Sequence, residues 1–131
     1  EVLAESDFLS IHVALAEETR NLIDSAAIAK MKPGAILVNT ARGGIVDEAA
    51  LARAIGRGEL AAAALDVFAS EPLEEESPLR NLPGVVLAPH IGSATYRTRE
   101  RMARLAVQNL IAGLEGRSLP CAVNAVASAK P

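Results

Sequence analysis

Three polar residues stand where apolar runs give way to loops, and their types suffice for acid–base chemistry on a small organic acid. Arg42 lies in Asn39-Thr40-Ala41-Arg42-Gly43-Gly44 and Glu71 in Leu65-Asp66-Val67-Phe68-Ala69-Ser70-Glu71-Pro72. His90 lies in Ala88-Pro89-His90-Ile91-Gly92-Ser93-Ala94-Thr95. An arginine grips a carboxylate by two parallel hydrogen bonds. A histidine exchanges a proton near neutral pH. A glutamate beside it orients the ring and favours its charged form. These are the protein parts needed to reduce a 2-keto acid, apart from a hydride source. Each residue taken alone also has a plainer reading: a surface arginine, a loop carboxylate, a structural histidine. Position favours the chemistry, because open α/β sheets bind ligands beyond the carboxyl ends of their strands.

The apolar pattern supplies the elements that would place them there. Phe8 to Val13 reads as a buried strand and Glu17 to Ile23 as a helical turn. Ser25 can cap a short helix through Met31, stopped by Lys32-Pro33-Gly34. Ala35 to Val38 is a second strand. Asp47 caps the next helix, with Val46 and Leu51 spaced as a hydrophobic staple and Gly56 and Gly58 at its end. Ala61 to Val67 is a third strand, whose alanines would admit a helix close to the sheet, and Val85 to Ala88 a fourth. A last helix runs from Thr95 to Leu114, with Met102, Leu105, Ala106, Leu110 and Leu114 on one face. Strands alternating with helices predict an α/β fold with a parallel sheet. The tail from Ser118 to Pro131 has no clear period.

Composition narrows the function classes. The 131 residues are one domain's worth, half of them apolar but only 2% aromatic. Such a core is built from Ala, Val, Leu and Ile, as in helix-covered parallel sheets. A net charge of −3 argues against a nucleic-acid partner, and no apolar run approaches the roughly 18 residues of a membrane span. The single cysteine, Cys121, suits a reducing, cytoplasmic setting. His12, His90 and Cys121 make no zinc pattern, so no metal is expected. Glu74-Glu75-Glu76 and the arginines 97, 99, 101 and 104 read as solvated charge.

In order and wording the three stretches resemble the D-2-hydroxyacid dehydrogenases, which depend on a nicotinamide cofactor, and the likeness runs from Asp7 to Asn124. It implies that Arg42 binds the substrate carboxylate and carbonyl, that His90 is the general acid for reduction and base for oxidation, and that Glu71 pairs with His90. Cofactor contacts are implied at His12, Val13, Thr40, Ala41, Arg42, His90, Gly92 and Ser93, and at Asp66 near the nicotinamide. Ala14-Leu15-Ala16 departs from the proline, leucine and threonine common in the family, which predicts a less rigid loop there. The implied fold is the second half of a Rossmann-type parallel sheet with covering helices, plus a C-terminal helix that would return to a substrate domain. Residues 1–95 would be the C-terminal half of the NAD(P)-binding domain, and 96–131 the crossover helix and tail.

The cofactor would be NAD or NADP, the partner a small 2-keto acid, and the full-length enzyme a homodimer. Pro89 to Thr95, followed by Arg99-Glu100-Arg101-Met102, looks most like glyoxylate and hydroxypyruvate reductases. A phosphoglycerate dehydrogenase-like enzyme, a corepressor-like binding module of the same fold and a non-catalytic fragment stay open. The chain opens on a helical pattern and holds no G-x-G-x-x-G turn, so it is expected to be the C-terminal portion of such an enzyme. Alone, it is expected to bind nicotinamide weakly and to associate through the free edge of its first strand.

Overall fold

A computed structural model describes residues 1–124. It resolves into two compact units, Glu1–Gly92 and Ser93–Pro131. The first unit begins with a short helix, α1 (Val2–Glu5), and holds four parallel strands in the order β1-β2-β3-β4. These are β1 (Phe8–Ile11), β2 (Ala35–Asn39), β3 (Leu60–Leu65) and β4 (Val85–Leu87). Helix α2 (Ser25–Ile28) lies between β1 and β2, and α3 (Glu48–Gly56) between β2 and β3. A 3-10 turn at Pro78–Asn81, unforeseen from the sequence, precedes β4. The predicted α/β architecture with a parallel sheet is present, and β1 is an edge strand among the described residues.

The strands alternate in burial because their side chains alternate in direction. Ile11, Leu37, Ala63 and Leu65 join one core with Ala50, Leu51, Ala54 and Ile55 of α3. Leu37 and Leu51 are fully buried, each adding roughly 1.5–3 kcal/mol over an exposed side chain. On the opposite face Ile36, Val38, Ala62 and Ala64 are half-buried, while Phe8 and Val86 are exposed. The Asp47 cap is in place: its side chain accepts from the Ala50 N–H at 2.9 Å, with Val46 and Leu51 buried on either side.

Several predicted boundaries are corrected. Asp24, not Ser25, caps α2, accepting from the Ala27 N–H at 2.8 Å. Helix α2 ends at Ile28, because Lys30 and Met31 already bond back three residues rather than four. The first strand stops at Ile11 and the third at Leu65, short of the expected Val13 and Val67. Val13 and Val67 stand beyond the polar His12 and Asp66, where pairing has stopped: the register ends at Ile11 opposite Asn39 and at Leu65 opposite Leu87.

The second unit is dominated by α4 (Tyr96–Leu114), capped by Thr95, whose hydroxyl accepts from the Thr98 N–H at 3.2 Å. Along it Met102, Leu110 and Leu114 are exposed, whereas Ala112 is buried. Past its end, the Asn109 side chain accepts from the Cys121 N–H at 3.1 Å. The part of the predicted tail from residue 125 to 131 lies outside the described residues. No helix among the described residues is long and apolar enough to cross a membrane.

Candidate active site

The loops beyond the carboxyl ends of β2, β3 and β4 carry Arg42, Glu71 and His90. Each loop is fixed by a side chain that completes backbone hydrogen bonds where strand pairing stops.

Beyond β2, the buried Asn39 folds the next turn around itself. Its Oδ1 accepts from the Ala41 N–H at 3.1 Å, and its Nδ2 donates to the Arg42 carbonyl at 3.0 Å. Gly43 then meets the next loop so closely that a Cβ would lie 1.8 Å from the Phe68 carbonyl oxygen. Only glycine fits there. The turn is tied down further by Asn21, whose N–H donates to the Gly44 carbonyl at 2.8 Å. The Arg42 side chain is exposed, and its guanidinium folds back to donate to the Ala41 carbonyl at 2.7 Å.

Beyond β3, two glutamates hold the loop of residues 66–72. Glu71 Oε1 accepts from the Phe68 N–H at 3.0 Å, and Glu48 Oε1, from the first turn of α3, accepts from the Ala69 N–H at 2.6 Å. Glu71 Oε2 is thereby turned to His90 Nδ1, 2.8 Å away. The expected pairing of these two side chains is present, and it leaves Nε2 of His90 for another partner. The hydrogen bond to His90 is the main reason the Glu71 carboxyl sits below its ordinary range. The Phe68 N–H and the charges of His90 and Arg42 act in the same direction, and partial burial opposes them.

Beyond β4, His90 adopts a left-handed backbone, with φ of 53°. A side chain with a Cβ pays roughly 1–2 kcal/mol for that conformation. The next two peptides are anchored: the Ile91 and Gly92 N–H groups donate to Asp66 Oδ1 and Oδ2, each at 2.8 Å. Asp66 is buried at the end of β3, and its own N–H donates to the Asn39 carbonyl at 3.0 Å.

Two cavities open at this end of the sheet. One, of about 380 Å³, is lined by Phe68, Glu71, Pro72, Leu87, Pro89 and His90 among others. The other, of about 660 Å³, is lined by His12, Val13, Ala14, Leu15, Thr40, Ala41 and Arg42. The Glu71–His90 pair lines the first cavity and Arg42 the second, with the Arg42 charge near enough to act on Glu71. The Arg42 guanidinium there is bonded to its own neighbour's carbonyl. Five of the residues predicted to contact the cofactor gather on the second cavity. His12 is exposed, and its Nε2 lies 2.8 Å from Ser10 Oγ. Ser93 opens the second unit and is exposed.

The sequence did not single out Asn39, Gly43 or Glu48. Asn39 had a signal, a short polar side chain ending an apolar strand. Glu48 had none, because its partner lies far along the chain.

Comparison with known proteins agrees with this fold. The family described as D-isomer specific 2-hydroxyacid dehydrogenase, NAD binding domain, matches residues 1–92. The chain is 55% identical to glyoxylate/hydroxypyruvate reductase B of Pectobacterium atrosepticum, over 94% of this chain and 38% of that protein. It is 53% identical to glyoxylate reductase of Aeropyrum pernix, over 95% of this chain and 37% of that one. Among solved structures, the TT0316 protein of Thermus thermophilus superposes with a TM-score of 0.91 at 51% identity, covering 94% of this chain and 39% of that one. The chain thus spans little more than a third of the length of these relatives. By the family match and the parallel-sheet fold that carries the Glu71–His90 pair, the chain belongs to the D-isomer specific 2-hydroxyacid dehydrogenases, through their NAD-binding domain.

Proposed function

We propose that a full-length enzyme carrying this sequence interconverts a small 2-keto acid and its 2-hydroxy acid, with glyoxylate or hydroxypyruvate as the keto acid. The observation that carries this is the 2.8 Å bond between Glu71 and His90 Nδ1 at the carboxyl end of a parallel sheet. The pair fixes the ring and leaves Nε2 to donate a proton to the substrate carbonyl oxygen in reduction, or to take one in oxidation. Glu71, held in its charged form, stabilises the imidazolium that must be present before reduction. Arg42, exposed beside the larger cavity, swings from the Ala41 carbonyl to grip the substrate carboxylate by its fork and polarise the carbonyl.

The residues present suit part of a dinucleotide. His12, Val13, Thr40 and Ala41 line an open cavity beyond β1 and β2, where backbone and small side chains admit a flat ring or a ribose. When bound, NAD or NADP supplies the hydride chemistry. The relatives named glyoxylate reductase support the choice of substrate. The same enzyme is proposed to be a cytoplasmic homodimer, which light scattering and cell fractionation would check.

The test is steady-state reduction of glyoxylate and hydroxypyruvate with NADH and NADPH, on the full-length enzyme and on Arg42→Lys. Turnover is expected in the parent. The variant should lose about 10²-fold in kcat/KM, because a lysine keeps the charge and lacks the fork. Near-normal efficiency in Arg42→Lys would remove Arg42 from the substrate role.

A further inference from the structure

Among the described residues, Asn39 and Asp66 are the polar residues buried in the first unit, and both sit at the carboxyl end of the sheet. They are linked, since the Asp66 N–H donates to the Asn39 carbonyl at 3.0 Å. Each turns its side chain to the backbone of a loop. Asn39 receives the Ala41 N–H and donates to the Arg42 carbonyl. Asp66 receives the Ile91 and Gly92 N–H groups, directly after the left-handed His90. A buried carboxylate is costly unless its oxygens are hydrogen-bonded, and here two peptide donors meet it at 2.8 Å.

We infer that Asn39 and Asp66 form one frame of positioning residues, Asn39 setting the backbone that presents Arg42 and Asp66 the backbone that presents His90. This rests on the proposed roles of Arg42 and His90. Asp66 is then required for the aim of His90, whether or not it also touches a cofactor. Each of its oxygens accepts one of these bonds and keeps a lone pair for another donor. Gly92 is part of the frame, because a Cβ there would come within 3.1 Å of Asp66 Oδ2.

A merely structural role would lower stability and both kinetic parameters without distinction. A positioning role separates them. In the full-length enzyme, Asp66→Asn turns an amide N–H toward a peptide N–H and is expected to lower kcat for glyoxylate by about tenfold or more, leaving its KM within threefold. Asn39→Asp sets an oxygen against the Arg42 carbonyl and is expected to raise KM by about tenfold, leaving kcat within threefold. Should Asn39→Asp fail to fold, Asn39→Ser serves in its place. A crystal structure of Asp66→Asn adds a readout independent of turnover: His90 is expected to leave its left-handed conformation and its bond to Glu71. If Asn39 and Asp66 variants move kcat and KM together, or His90 keeps its place in Asp66→Asn, the frame is overturned. If instead Arg42→Lys and His90→Gln turn over normally, it is the assignment of those two side chains that fails.

Discussion

Arg42 and His90, the two side chains proposed to meet the substrate, are prepared to different degrees. His90 is set on both sides: Glu71 holds its ring at 2.8 Å, and Asp66 holds the peptides that follow it. Arg42 has an equally fixed backbone, pinned by Asn39 and by the contact of Gly43 with Phe68, yet among the described residues its guanidinium is bonded only to the carbonyl one residue back. The difference fits the roles proposed for the two groups. A proton donor works when its acceptor arrives at a set distance, so its ring gains from being fixed beforehand. A guanidinium that grips a carboxylate has its planar fork already built in, and needs only a rotation to reach it.

The comparison can be broken first at the histidine. His90→Gln in the full-length enzyme should lower kcat by about 10²–10⁴-fold and leave dinucleotide binding largely intact. Equal loss of affinity and rate would mark a structural histidine instead. Next comes the contact that joins the two regions. Gly43→Ala places a Cβ inside the Phe68 carbonyl, so the Arg42 turn must separate from the loop bearing Glu71. We expect a loss of about 3 kcal/mol in urea unfolding, at the upper end for overpacking. A change within 0.5 kcal/mol would show that the two loops are not locked together.

The smallest effect is in pH. The Glu71 carboxyl lies below its ordinary range in the folded chain. Its contribution to stability is therefore present above the unfolded value and lost as pH falls through the lowered folded value. The side chain is partly exposed, so water screens the effect. Unfolding midpoints of the parent and Glu71→Gln should differ slightly at neutral pH and converge in acid. A difference that persists unchanged into acid would assign it to something other than the charge of Glu71.

The same contrast shows what the sequence could disclose. Asp47 was legible as a cap because a short acidic side chain stands before an apolar helical pattern, and local chemistry fixes the outcome. Asp24 was missed by one position because Asp24 and Ser25 are both good caps and local pattern cannot choose between neighbours. Strand ends were overrun because Val13 and Val67 resume the apolar pattern after one polar residue, while pairing is a property of the adjacent strand. The Glu71–His90 pair was readable from family wording. The direction of the Arg42 side chain was not, since it depends on which acceptor lies nearest in three dimensions. Asn39 and Asp66 were visible as residues, but their roles required knowing which peptides stop above them.

The most direct measurement is a crystal structure of the full-length enzyme with a reduced dinucleotide and oxamate, a keto-acid analogue that cannot be turned over. The account predicts that Arg42 leaves the Ala41 carbonyl and forks the oxamate carboxylate, while Glu71 and His90 stay hydrogen-bonded with Nε2 turned to the ligand. Oxamate bound away from an Arg42 still folded onto Ala41, or a His90 parted from Glu71, would contradict it.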